Sequence, residues 1–244
     1  MSTTGNQTYG TTPLTLQNDV TLSSSSGQIT SSANQSLDHD LTIAGAGTMS
    51  GIVSGSGDLI KQESGTLTLS AVNTYDGGTT VDGGLVNFAS EAALGSGNIT
   101  LNGGGLQWGT GNSIDISPRL NAIGSGGATF DTNGNNVSLG TALTGTGPIT
   151  KSGTGTLTLG ATNTDHAATD VTAGTLDVTG TLPGAVTAES GATVDVSGTV
   201  GGCDGSVVRH AGVLRRDPRR RGHQPRRDGH ERPGRPHRCH RGGR

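Results

Sequence analysis

The chain has 244 residues, with 44 Gly, 29% hydrophobic residues, 2% aromatics and 14% charged residues. Large side chains of the kind that fill an ordinary compact core are scarce, and the chain approaches the usual apolar share of about 45–50% only because Gly is counted in it. Disorder is also a poor fit: disordered chains combine low hydrophobicity with high charge and no pattern, whereas the apolar residues here are strongly patterned.

From the N-terminus, Met1–Gly10 has neither a basic region nor an apolar run and does not read as a signal peptide. An exported protein needs one, so the expectation is an internal start or a truncated reading frame. No stretch approaches the ~20 apolar residues of a membrane-spanning helix. Short strands then recur along residues 1–200, each a pair of apolar residues separated by one position. They are Leu14/Leu16, Val20/Leu22, Leu41/Ile43, Leu67/Leu69, Val86/Phe88, Ile99/Leu101, Leu106/Trp108, Ile114/Ile116, Val137/Leu139, Leu157/Leu159, Leu176/Val178 and Val194/Val196. That spacing puts both side chains on one face of a strand and the residue between them outward, as predicted for Thr68 and Asp177. Gly-Gly, Asn-Gly and Ser-Gly pairs between strands permit positive φ. No window shows a 3.6-residue apolar period, so almost no helix is expected.

Internal repetition decides between a sandwich, a barrel and a solenoid. Residues 55–88 and 145–178 align without a gap, identical at 14 of 34 positions, with the apolar sites matched in kind. A duplication that keeps its apolar face favours a solenoid, in which each unit buries that face against its neighbours. The predicted fold is all-β, a right-handed parallel β-helix with a disordered C-terminal tail. Coils of roughly 20 residues stacked about 4.8 Å apart would make the first 200 residues a rod of order 50 Å.

The composition breaks at about residue 201. Residues 1–200 hold three basic side chains, Lys61, Arg119 and Lys151, against fifteen acids, a net charge of −12; residues 201–244 hold thirteen Arg against four acids, a net of +9. The tail also holds both cysteines, Cys203 and Cys239. Its Arg, Gly, Pro and His vocabulary is that of a GC-rich coding region read out of frame, so a frameshift near Gly201–Gly202 is the expectation. A basic arm for anionic partners is the functional alternative, but the tail lacks aromatic residues for base stacking. Its Cys and His spacings do not match a structural zinc site, and nothing supports a Cys203–Cys239 disulfide. The domains read as 1–54, N-terminal β-helical repeats; 55–200, the duplicated repeat region; and 201–244, the tail.

Candidate chemistry is thin. Asp131, Asn133 and Asn135 occupy positions 1, 3 and 5 of a calcium loop, but Asn136 and Ala142 stand where Gly and Glu are required, so a turn is the reading. Gly103-Gly104-Gly105 leads into a strand, not the helix a phosphate cradle needs. Asp38-His39-Asp40 reads as a polar turn rather than part of a Ser/His/Asp triad. Asp82 and Asp177 are outward acids at non-equivalent repeat positions. Lys61 and Lys151 share a repeat position and read as outward or turn residues. The runs Thr66/Thr68 and Thr156/Thr158 lie too far apart for an ice-binding face, and sequons such as the one at Asn98 are those this composition produces by chance. No catalytic, cofactor-binding or metal residues are assigned, and no cofactor is expected.

The two copies resemble the autotransporter-associated β-strand repeat. The first carries Gly57, Leu59, Lys61, Gly65-Thr66-Leu67-Thr68-Leu69, Asn73-Thr74-Tyr75, Gly77, Thr79, Val81 and Gly84, and departs at Glu63, where Gly is usual. The second carries Gly147, Lys151, Gly153, Gly155-Thr156-Leu157-Thr158-Leu159, Asn163-Thr164, Thr169, Val171, Gly174 and Leu176, with Asp165 where Tyr is usual and Ala167-Ala168 in place of glycines. Residues 7–54 are more similar to the β-helical repeats of filamentous-haemagglutinin-type adhesins. The resemblance implies a fragment of a cell-surface, outer-membrane-associated passenger, a structural or adhesive β-helix without catalysis. Its partners would be host-cell or surface carbohydrate or protein receptors, with no specific nucleic acid, and the chain a monomer. The outer-membrane barrel that exports such a passenger is missing from this chain. The alternatives are a polysaccharide-active β-helix enzyme, betrayed by carboxylates meeting in one groove, and a non-functional truncated product.

Overall fold

A computed structural model describes residues 2–10, 13–164, 167–205 and 208–210. The expected alternation is what folds the chain. Thr66–Leu69, Leu85–Phe88, Thr156–Leu159, Thr175–Val178 and Thr193–Val196 each bury every second residue and turn the others outward. Every pairing between named strands is parallel, each strand lying on its counterpart one coil away. The result is a parallel β-solenoid. Helix is confined, among the described residues, to two short 3-10 turns, Glu91–Leu94 and Ser117–Arg119.

One column of strands runs the length of the rod. It passes from Gln7–Tyr9 through the second halves of Val20–Ser31 and Leu41–Met49. It continues through Thr66–Leu69, Leu85–Phe88, Gly105–Trp108, Ala128–Asp131, Ile149–Ser152, Ala168–Val171 and Thr181–Ala188 to Thr199–Gly205. Ten steps of about 4.8 Å give a rod of about 48 Å, the length anticipated. Pairing continues past residue 201, through Thr199–Gly205 and Val208–His210. Residues 201–205 and 208–210 of the tail predicted to be disordered are therefore strand; the rest of that tail, with Cys239 and the distal histidines, lies outside the described residues.

The two repeat copies do not stack on one another. Leu59 stands in the column Leu41, Leu59, Thr79, Ile99. Its counterpart Ile149 stands in the full-length column, above Ala128 and below Thr169. The 90-residue offset is therefore not a whole number of coils, and the second copy begins one face further round the rod.

Coil length varies along the rod. Gly105 pairs with Thr129, 24 residues on, and about this widest coil Phe88, Trp108 and Phe130, contributed by three successive coils, are all fully buried. Their ring centroids lie 5.3 and 6.3 Å apart in tilted contact. Toward the C-terminus Thr169 pairs with Val186, only 17 residues on, around Val171, Val178, Val194 and Val196. One predicted strand fails: Ile114/Ile116 lies in the loop that widens the large coil. Ile116 is buried but Ile114 is 41% exposed, its carbonyl held by the Trp108 indole N–H at 3.0 Å.

Candidate functional site

The polar residues that recur in the two repeats are the natural candidates for a site, and the structure places them inside the wall of the rod. Lys61 and Lys151 are fully buried, contrary to the outward or turn position expected of them. Each lies at the inward position of its strand and curls its amine into the following corner. Lys61 Nζ donates to Gln62 O at 2.6 Å, Glu63 O at 2.7 Å and Gly83 O, on the next coil, at 3.3 Å. Lys151 Nζ donates to Ser152 O and Gly153 O at 2.7 Å and to Ala173 O at 3.1 Å. Three carbonyls match the three N–H donors of an ammonium. Burial pushes both pKa values down, to about 8, against the pull of the nearby Glu63 and Asp131 carboxylates. The cradle also explains two signature glycines. At Gly84 (φ 63) and Gly174 (φ 70) a Cβ would collide with the carbonyls of Gly65 and Gly155 and crowd the lysine Nζ atoms.

The signature asparagines are cross-coil staples that the sequence reading left without a role. Asn73 accepts from Val53 N at 2.8 Å on one neighbouring coil and donates to Ala93 O at 2.6 Å on the other. Asn163 repeats the device, accepting from Leu143 N at 2.8 Å and donating to Thr181 O at 3.0 Å. Further staples stand at another corner: Asp19, Asp40 and Asp58 accept from the backbone N–H of Asp40, Asp58 and Gly78, each one coil on. The recurrence of Asn twelve residues after each Lys was the available signal.

The remaining candidates stay separate. Asp131, Asn133 and Asn135 form the expected turn, with Asn133 at φ 48 and its N–H donated to Asp131 Oδ1 at 2.9 Å. Their side chains are engaged with Gln107, Trp108 O and Gly109 O. Gly105 opens a strand, as anticipated. His39 is exposed, its Nδ1 3.8 Å from Asp19. Asp82 is exposed on its own, whereas Asp177 faces outward in register with Asp195 on the next strand. Asn98 donates to Asn121 at 3.2 Å. Thr66, Thr68, Thr156 and Thr158 face outward, partly exposed. Among the described residues no three His, Cys, Asp or Glu side chains group as a metal site.

Residues 59–87 and 149–178, the segments that carry both lysine cradles and both asparagine staples, match the passenger-associated-transport-repeat family. The chain carries two repeats of the passenger-associated-transport type. Over 151 residues, 59% of its length, it is 35% identical to the protein named adhesin BmaC autotransporter of Brucella suis biovar 1 (strain 1330). The match spans 4% of that relative's length. No solved structure matches.

Proposed function

We propose that this chain is a non-catalytic segment of a cell-surface adhesin, an elongated scaffold that acts by presenting its outer faces and is displayed at the outer membrane in the parent protein. The observation that carries the reading is the use made of the signature polar groups. Lys61, Asn73, Lys151 and Asn163 spend their hydrogen-bonding atoms on the backbone of their own and adjacent coils, so the repeated chemistry builds wall rather than site. The relative's description as an adhesin supports the same reading, and fold alone would not.

Beads coated with the folded chain, applied to arrays of extracellular-matrix proteins and surface glycans, test it. Retention on defined spots above that of beads coated with heat-denatured chain is expected. Equal retention across the array rejects the adhesive role, and release of new reducing ends from an arrayed polysaccharide replaces it with a hydrolytic one.

A further inference from the structure

Residues 1–200 contain three side chains that a Lys- or Arg-directed endoprotease can read, Lys61, Arg119 and Lys151, and the fold withdraws all of them. Such an enzyme asks two things of its substrate. The cation must enter an acidic specificity pocket, and the carbonyl of the same residue must reach an oxyanion hole. The ammonium groups of Lys61 and Lys151 are fully buried, each held by three backbone carbonyls. The Arg119 side chain is 15% exposed, and its guanidinium donates to the carbonyls of Glu91, Leu94 and Gly97.

The bonds to be cut are withdrawn as well. Lys61 O accepts from Asp82 N at 2.9 Å, and Lys151 O from Thr172 N at 2.9 Å, in each case from the next coil. Their strands, Leu59–Gln62 and Ile149–Ser152, are paired on both sides. After Arg119, Leu120 N donates to Ser117 O at 3.2 Å, and Asn121 N donates to Ile99 O on the preceding coil at 2.9 Å. Side chain and backbone reach an enzyme together only when a coil leaves the stack. We infer that the rod stays whole in the presence of Lys- and Arg-specific endoproteases, and that any such cut within residues 1–200 waits on the opening of the coil that holds the cation. The property belongs to the wall and is independent of the adhesive reading. It is also specific to this class of enzyme, because apolar side chains do stand outside, at Ile52, Val72 and Ile114.

The test incubates the full chain with trypsin and reads the new termini by mass spectrometry. In native buffer no cut after Lys61, Arg119 or Lys151 is expected, whereas the heat-denatured chain should be cut after all three. Ser125→Arg sets a cation on the exposed turn at 124–127 and should give a fast cut there, the other three sites staying intact. Asn73→Ala unclips the coil that holds Lys61. It should speed the cut after Lys61 roughly 100-fold and leave Lys151 unaffected, since cleavage follows the open population. Fast cutting of the native chain at any of the three sites overturns the inference. A Ser125→Arg chain that resists also overturns it, because protection would then not come from where the cations lie. Equal acceleration at Lys61 and Lys151 overturns the control by single coils.

Discussion

Replacing Asn73 by Ala isolates the device that ties one coil to the next. The side chain is 5% exposed and bonds at 2.8 and 2.6 Å to Val53 N and Ala93 O, both on fully buried residues. Truncation leaves one buried donor and one buried acceptor without partners. Each orphan costs about 1–3 kcal/mol, against a net gain of only about 1 kcal/mol for an ordinary hydrogen bond, so Asn73→Ala should destabilise the rod by about 3 kcal/mol. The exposed amide pair Asn98–Asn121 provides the contrast: Asn98→Ala should cost no more than about 0.5 kcal/mol. Because each coil touches only its neighbours, the loss should be local before it is global. Guanidinium unfolding followed by far-UV circular dichroism gives the total, and hydrogen exchange at the Val53 amide gives the local effect. A cost below about 1 kcal/mol, with Val53 protection unchanged, would show that the coils hold together without the staple and would refute the reasoning.

Further outcomes follow from other buried groups. Trp108→Ala should cost about 3–5 kcal/mol, since it empties the widest coil between Phe88 and Phe130; it should also expose the loop around Ile114 to limited proteolysis. Thr79 Oγ1 lies 2.6 Å from Tyr75 Oη and donates to Leu94 O, whereas its counterpart Thr169 Oγ1 is buried without a partner. Thr79→Val should therefore destabilise by about 1–2 kcal/mol and Thr169→Val should be neutral or stabilising, read as midpoints of chemical unfolding. The lysine cradles set a pH dependence. Their folded pKa values of about 8 lie below the ordinary 10.5, so the unfolded chain binds more protons between those limits, and stability should rise with pH across that window. Unfolding at a series of pH values should show the rise, and Lys61→Met with Lys151→Met should flatten it.

Most of the fold was legible because a solenoid writes itself in the sequence twice, as alternation within strands and as repetition between coils. Leu67/Leu69 and Val194/Val196 needed only the first signal. Ile114/Ile116 shows its limit, since two apolar residues at the right spacing also arise where a loop drops one side chain into the core and leaves the other outside. Lys61 and Lys151 were misplaced for a different reason. Charged residues are almost never fully buried unless paired, and their partners here are backbone carbonyls, which leave no mark in the sequence. The asparagine staples were hidden in the same way: the motif was visible, but the N–H and C=O it serves belong to residues about 20 positions away on either side. Nor could alignment of the copies show that the second begins one face further round, because that depends on how many coils the linking residues make.

What the repeat motif encodes also limits what it can say about binding. Between the copies the inward and bridging residues are kept: Lys61 and Lys151, Asn73 and Asn163, Gly84 and Gly174. The outward residues are kept only in part: Thr66 and Thr68 recur as Thr156 and Thr158, but Thr80 is replaced by Asp170, and Asn87 by Asp177. On the first half of the rod the outer face carries an amide and carboxylate ladder, Asn87 to Gln107 at 2.8 Å and Gln107 to Asp131 at 2.7 Å, while the C-terminal sheet sets Asp177 beside Asp195. A partner that reads these faces meets different chemistry on each, although the wall behind them is built by one rule. Likeness to such a repeat is therefore a statement about the scaffold, and recognition must be sought first in the positions where the copies differ.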